Sequence, residues 1–171
     1  MTDLSEFYKA YGEGLASRLA DIAYSESNKT FCFVEDVGSP TEVISFNFGP
    51  NPVLVWEDFE EDIETAGRDN YYSQIVGSMA VMSKAGGSAS KAGKREVYRQ
   101  NRAILLKAIA LMIQDSESGE LADQDISMEI RKFPCQKIGP VGGDKYGYGI
   151  QFTWLVPVNL TLTESDVLYQ D

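Results

Sequence analysis

A dense run of carboxylates between residues 57 and 69 is the first place where the sequence offers reactive groups. Its members are Glu57, Asp58, Glu60, Glu61, Asp62, Glu64 and Asp69. Clustered carboxylates can ligate a cation, or act as acid and base on either side of a glycosidic bond. A calcium loop requires acids at alternate positions, a central glycine and a terminal glutamate, and these offsets are absent. We interpret the run as a solvated acidic edge, with a metal site or a catalytic pair as alternatives.

The residue types that the chain lacks exclude further chemistry. None of the 171 residues is a histidine, so Ser-His-Asp and Cys-His catalysis would have no base with a pKa near neutrality. The two cysteines, Cys32 and Cys135, are far apart in the chain and lie in apolar, strand-like contexts. We therefore favour two buried free thiols over a disulfide between them, and expect neither a zinc site nor any other cofactor.

A glycine-rich segment, Gly139–Lys145, has some resemblance to a phosphate-binding loop. It lacks the Gly-Lys-Ser/Thr ending, because Asp144 precedes the lysine and Tyr146 follows it. It also leads into a predicted strand, whereas a phosphate-binding loop leads into a helix whose amides hold the anion. A hairpin connection is the better interpretation.

Basic residues are concentrated between Lys84 and Lys107, where seven bases and one acid give a local charge of +6. Residues 57–69 carry seven acids and one arginine, a local charge of −6, in a chain of net charge −11. Opposite patches on one small domain favour head-to-tail contacts between identical subunits, which can close into a ring. Binding of nucleic acid by the basic segment is the alternative. The predicted subunit or partner contacts are Glu57, Asp58, Glu60, Glu61, Asp62, Lys84, Lys91, Lys94, Arg95, Arg99 and Arg102.

The segment Ser83–Lys94 contains the tetrapeptide Ser-Lys-Ala-Gly twice and no residue that could build a core. We predict a flexible surface loop, either a plain linker or a loop that orders when a partner docks.

Hydrophobic periodicity predicts the elements that must carry these residues. Helices are expected over 3–24 and 94–113, and strands over 30–35, 42–48, 53–56, 71–82, 126–133 and 146–160. Apolar residues on both faces of Tyr71–Met82 place that strand centrally, and Pro157 places the end of the last strand at a sheet edge or past the sheet. The predicted class is α+β: a mainly antiparallel sheet packed against two helices in a single domain, residues 1–160. An acidic loop over 115–125, a connection over 134–145 and a polar tail over 161–171 complete the chain.

Nothing in the sequence indicates a membrane partner. No apolar stretch approaches the roughly 18–20 residues that span a bilayer, and the acidic start Met1-Thr2-Asp3 does not resemble a signal segment.

The order of these elements resembles the tail terminator, or tail completion, proteins of long-tailed bacteriophages. The similarity covers Leu4–Tyr24, Thr30–Trp56, Tyr71–Met82, Lys94–Ile113 and Ile126–Leu160, and includes the alternating strand Tyr148–Val158. The resemblance implies a non-enzymatic virion protein that forms a hexameric ring on the tail tube. Such a ring stops tube polymerisation and presents a docking surface to the filled head.

The implied partners are further copies of the chain, the tail tube protein and the head-tail connector protein, with nucleic acid only passing through the ring lumen. The implied location is the tail or neck of the virion, after assembly in the host cytoplasm. Three alternatives stay open: another neck, connector or head-tail joining protein, an intracellular adaptor, or a small carboxylate-dependent hydrolase. The hydrolase hypothesis rests on Trp56, which lies next to Glu57 and Asp58.

Overall fold

A computed structural model of the chain describes residues 3–67, 70–85, 90–129, 133–158 and 160. Within those residues the strands are β1 (Phe31–Val34), β2 (Val53–Gly67), β3 (Asn70–Lys84), β4 (Ser127–Met128), β5 (Cys135–Val141) and β6 (Lys145–Val158). The helices are α1 (Leu4–Arg18), α2 (Thr41–Ser45), α3 (Lys91–Ser118) and a 3-10 turn, Ala122–Gln124. The predicted α+β class, with a mainly antiparallel sheet in a single domain, is confirmed. The predicted tail, residues 161–171, lies outside the described part.

The strands lie in the order β1-β2-β3-β6-β4, and β5 also pairs with β6. Only the β1–β2 pair is parallel among these pairings; the others are antiparallel. β3 is flanked by β2 and β6, which confirms its predicted central position. Pro157 lies opposite Tyr72 of β3, and on the other side of β6 the described pairing with β4 ends at Leu155. The proline therefore stands at a sheet edge on that side, as expected.

The main core lies between one face of the sheet and helices α1 and α3. The alternation predicted for the last strand is confirmed, because Ile150, Phe152, Trp154 and Val156 are all buried in this core. We call this side of the sheet the helix-covered face. The opposite side carries a smaller core, in which α2 and the segment after it pack on the sheet. Its buried residues are Cys32, Val34, Val43, Phe48, Val53, Val55, Ala80 and Met82.

Helix α1 packs unusually close to the sheet because residue 12 is a glycine. A Cβ atom at Gly12 would lie 2.8 Å from the Trp56 ring, whereas one at Gly14 would meet nothing within 4 Å. The helix was predicted to reach residue 24 but ends at Arg18, since Leu19 adopts an extended conformation. The chain then turns back, and the Asn28 side-chain amide donates to the carbonyls of Ile22 and Ala23.

Helix α3 is longer at both ends than the predicted 94–113. Ser90 caps its start by accepting a hydrogen bond from the Gly93 N–H, so part of the predicted 83–94 loop is helical. Residues 83 and 84 of that loop belong to β3, and 86–89 lie outside the described residues. The helix continues to Ser118, so the predicted acidic loop over 115–125 is also partly helical.

A buried ionic cluster fastens α3 to α1. Arg18 donates two hydrogen bonds to the Asp115 carboxylate, at 2.9 and 2.6 Å, and the Tyr11 hydroxyl donates a third at 2.6 Å. Burial alone would raise the pKa of Asp115, but these hydrogen bonds and the Arg18 charge outweigh it, and the pKa lies below its ordinary value. Asp115 is therefore charged and fully engaged in the folded chain.

Two predicted elements were wrong, and a third was confirmed only in part. Residues 42–48 contain helix α2 rather than a strand, because Pro40 starts a helical turn and Val43 is the residue that turns inward. The predicted connection over 134–145 contains β5, since its backbone pairs with β6 despite the glycines and proline. The predicted strand over 126–133 is reduced to β4, and residues 130–132 lie outside the described part. The described part thus has three α-helices rather than two.

The cysteine prediction was half right. Both thiols are free, and Cys32 is buried, where burial raises its pKa to about 11. Cys135 is exposed because the first residues of β5 face solvent.

Candidate functional site

The long β2–β3 hairpin positions the acidic run. Glu57 lies opposite Ser78, and Glu60 lies opposite Val76, so Asp58 and Phe59 together face Gly77. This β-bulge shifts the side-chain alternation by one residue. As a result Glu57 shares one face of the sheet with Glu60, Asp62 and Glu64.

Tyr8 of α1 holds the bulge in place. Its hydroxyl donates to the Glu57 carbonyl at 2.8 Å, and its ring packs against Phe59. A Cβ atom at Gly77 would lie 2.3 Å from that hydroxyl, so the strand opposite the bulge has no room for a side chain. Burial raises the pKa of Tyr8, and the charges of Asp58 and Glu57 add to the effect. The Tyr8 hydroxyl therefore stays protonated and continues to donate its hydrogen bond to the Glu57 carbonyl.

Four acids share the face opposite α1 and α3, and we call them the acidic face: Glu57, Glu60, Asp62 and Glu64. The Glu57 carboxylate accepts hydrogen bonds from the Gly38 N–H and the Ser78 hydroxyl, and Glu64 accepts one from the Tyr72 hydroxyl at 2.8 Å. Glu60 and Asp62 are exposed. The described pairing of β1 with β2 ends at Glu57, so the acids beyond it lie on an open strand edge.

The other two predicted acids lie on the helix-covered face. Glu61 is opposite Ile75 and accepts a hydrogen bond from the Ser73 hydroxyl at 2.5 Å. Asp58, in the bulge, accepts one from the Phe59 N–H at 3.0 Å. The predicted acidic set is therefore two groups rather than one.

The predicted bases are also divided. Lys91, Arg95, Arg99 and Arg102 follow one another at spacings of four, four and three along α3 and are all exposed. We call these four residues the basic face. Arg99 forms an ion pair with Glu96 at 2.6 Å, in which both side chains are largely exposed.

Two predicted bases lie elsewhere. Lys94 turns inward and lies over the Tyr146 ring, 5.3 Å from its centre. Lys84 is the last residue of β3 and pairs with Lys145 of β6.

The acidic face and the basic face lie on opposite sides of the sheet. Helix α3 packs on the helix-covered face, with Ile104, Leu105 and Ala108 in the main core, and the four residues of the basic face are exposed on the same helix. The four acids point away from the sheet on the other side. One copy can therefore present its basic face to the acidic face of a second copy, which leaves the acidic face of the first copy and the basic face of the second free.

Sequence reasoning missed a cavity beside the acidic face. It has a volume of about 230 Å³, is bounded by the sheet, α2 and β5, and is partly open to solvent. Glu57 forms part of its wall. Because both α2 and β5 were predicted wrongly, no signal in the sequence could have revealed it.

The geometry does not gather the residues of the hydrolase hypothesis in one cleft. Trp56 is fully buried in the main core, Glu57 lines the cavity, and Asp58 and Glu61 face the other way. Within the described ranges, no group of three or more Cys, Asp or Glu side chains is arranged to hold a metal ion. No helix in the described part combines the length and apolarity needed to cross a bilayer.

Comparison with protein-family models gives no match, and comparison with curated proteins gives none either.

Proposed function

We propose that the protein is a structural component of a phage virion that assembles with itself into a ring at the end of the tail tube. There it stops polymerisation of the tube and provides the surface to which the head docks. The observation that carries the proposal is the placement of an acidic and a basic face on opposite sides of one sheet. A contact between unlike faces is heterologous, and heterologous contacts generate closed rings when the rotation permits.

The edge of β2 supports the terminating role. From Asp58 to Glu64 its outer side has no strand partner among the described residues, and this stretch carries a high density of acids. Charged side chains on an edge strand oppose the addition of further strands. A ring of such subunits would present a surface that a tube subunit could not extend.

The test combines light scattering of the purified protein with negative-stain imaging after addition of the tail tube protein of the same phage. We expect rings seated at tube ends and tubes of limited length. A matched variant, Arg95→Gln/Arg99→Gln/Arg102→Gln, keeps the fold but should neither form rings nor limit the tubes. A protein that stays monomeric and leaves tube ends bare would contradict the proposal. Rings that bind a connector but ignore tube ends would instead identify a neck or head-tail joining protein.

A further inference from the structure

The cavity beside the acidic face is lined mainly by aliphatic side chains. Its apolar walls come from α2, β2, β3 and β5, and include Val43, Val55, Ala80, Met82, Ile138 and Val141. Glu57 belongs both to this wall and to the acidic face. The cavity is therefore an apolar recess next to a row of carboxylates.

The basic face continues into an exposed leucine. Leu106 is 43% exposed and lies four residues after Arg102 on the outer side of α3. A single exposed leucine is ordinary on a protein surface. Its position is informative here, because four residues correspond to one helical turn and about 6 Å along the axis. An apolar side chain is thus aligned with the arginines on the surface that should meet the acidic face.

We propose that Leu106 of a second copy inserts into this cavity, with its Arg102 over Glu57 and its Arg99 over Glu60. The inference rests on the proposed function and names the contact between neighbouring subunits. The cavity volume of 230 Å³ is sufficient, because a recess of about 150 Å³ already admits a benzene molecule.

The spacing of the charges sets how the two arginines must reach. Arg99 and Arg102 are three residues apart, about 4.5 Å along the helix axis. Glu57 and Glu60 are three strand residues apart, roughly 10 Å before the bulge shortens it. The two long, flexible arginine side chains therefore splay apart to reach both carboxylates. Arg99 would exchange its exposed partner Glu96 for Glu60, an exchange between two solvated pairs that costs little.

A disulfide trap across the contact tests the register. The background is Cys135→Ser, because Cys135 is exposed while Cys32 is buried. Leu106→Cys and Ile138→Cys are then introduced together, and the protein is oxidised at high concentration. A head-to-tail contact predicts a ladder of covalent multimers, whereas each single-cysteine version should give dimers at most.

Two further variants measure the apolar contact. Leu106→Ala should weaken self-association about tenfold without changing the melting temperature, since the side chain is exposed in the single chain. Val141→Phe, which fills the cavity, should weaken it similarly. Ile63→Ala removes an exposed apolar group, 57% exposed, from another surface and should leave association unchanged.

The outcomes separate the two proposals. Oligomers that form normally but give no ladder, and that tolerate Leu106→Ala, would overturn the cavity contact and leave the ring-forming function standing. A chain that stays monomeric at high concentration and at tube ends would overturn both.

Discussion

Replacing Asp115 with asparagine isolates the ionic cluster that fastens α3, and with it the basic face, to α1. The substitution preserves the shape of the side chain but removes its charge. Arg18 then loses a bidentate partner, and Tyr11 donates to a neutral amide oxygen. Asp115 is 6% exposed, so the lost contacts are not replaced by water.

The expected cost follows from this geometry. Breaking a fully buried ion pair costs about 3–5 kcal/mol. Here the Arg18 side chain is 37% exposed, so solvent screens the charge left behind. We therefore expect a loss of about 2 kcal/mol in the free energy of unfolding at pH 7. Glu96→Gln removes the acid of an exposed pair on the same helix and should give no measurable change.

Denaturant unfolding followed by tryptophan fluorescence provides the assay, because Trp56 and Trp154 are both fully buried. The pKa of Asp115 is lowered in the fold, so its charge stabilises the protein above the ordinary pKa of 3.8, and this contribution is lost as the pH falls through the lower folded value. The difference between wild type and Asp115→Asn should accordingly shrink in strong acid. Equal stability at pH 7, or a difference that persists undiminished at low pH, would refute the reasoning.

Two further predictions concern glycine packing and thiol reactivity. Gly14→Ala should stabilise the protein by roughly 0.5–1 kcal/mol through helix propensity, whereas Gly12→Ala should destabilise it by about 1–2 kcal/mol because its Cβ collides with Trp56; equal effects in thermal melts would contradict the described packing. In native protein at pH 8, thiol titration should detect Cys135 alone, since Cys32 is buried with a pKa raised to about 11, and denaturant should reveal the second thiol. Two thiols reacting at the same rate in the native state would contradict that burial.

The parts of the fold that were predicted correctly are those in which one physical pattern dominates. In β6, apolar residues at every second position leave a single way to place the strand on a core. β3 has apolar residues on both faces, and only a central position buries both.

The errors arose where short segments depend on tertiary contacts. The segment 42–48 is too short for its apolar pattern to distinguish a helix from a strand. The packing of Val43 and Phe48 in the smaller core favours the helical conformation of α2. β5 is rich in glycine and proline, yet its backbone finds partners in β6. The intrinsic preference of the residues for helix or strand predicts the structure of such segments poorly.

The candidate site was predictable in composition but not in arrangement. The clustering of acids and bases is visible in the sequence. Which acids share a face depends on the bulge at Asp58 and Phe59, which one glycine and the Tyr8 hydroxyl stabilise from distant parts of the chain. A one-residue shift in strand register moves every following side chain to the other face of the sheet, and no local sequence pattern predicts it.

The central claim is that the acidic face of one copy binds the basic face of the next. The most direct measurement mixes two neutralised variants and determines their mass by sedimentation. One is Glu60→Gln/Asp62→Asn/Glu64→Gln, and the other is Arg95→Gln/Arg99→Gln/Arg102→Gln. Each variant alone should stay monomeric, and the mixture should stop at a 1:1 dimer, because only one intact pair of unlike faces is present. Larger oligomers formed by either variant alone, or a mixture that remains monomeric, would contradict the claim.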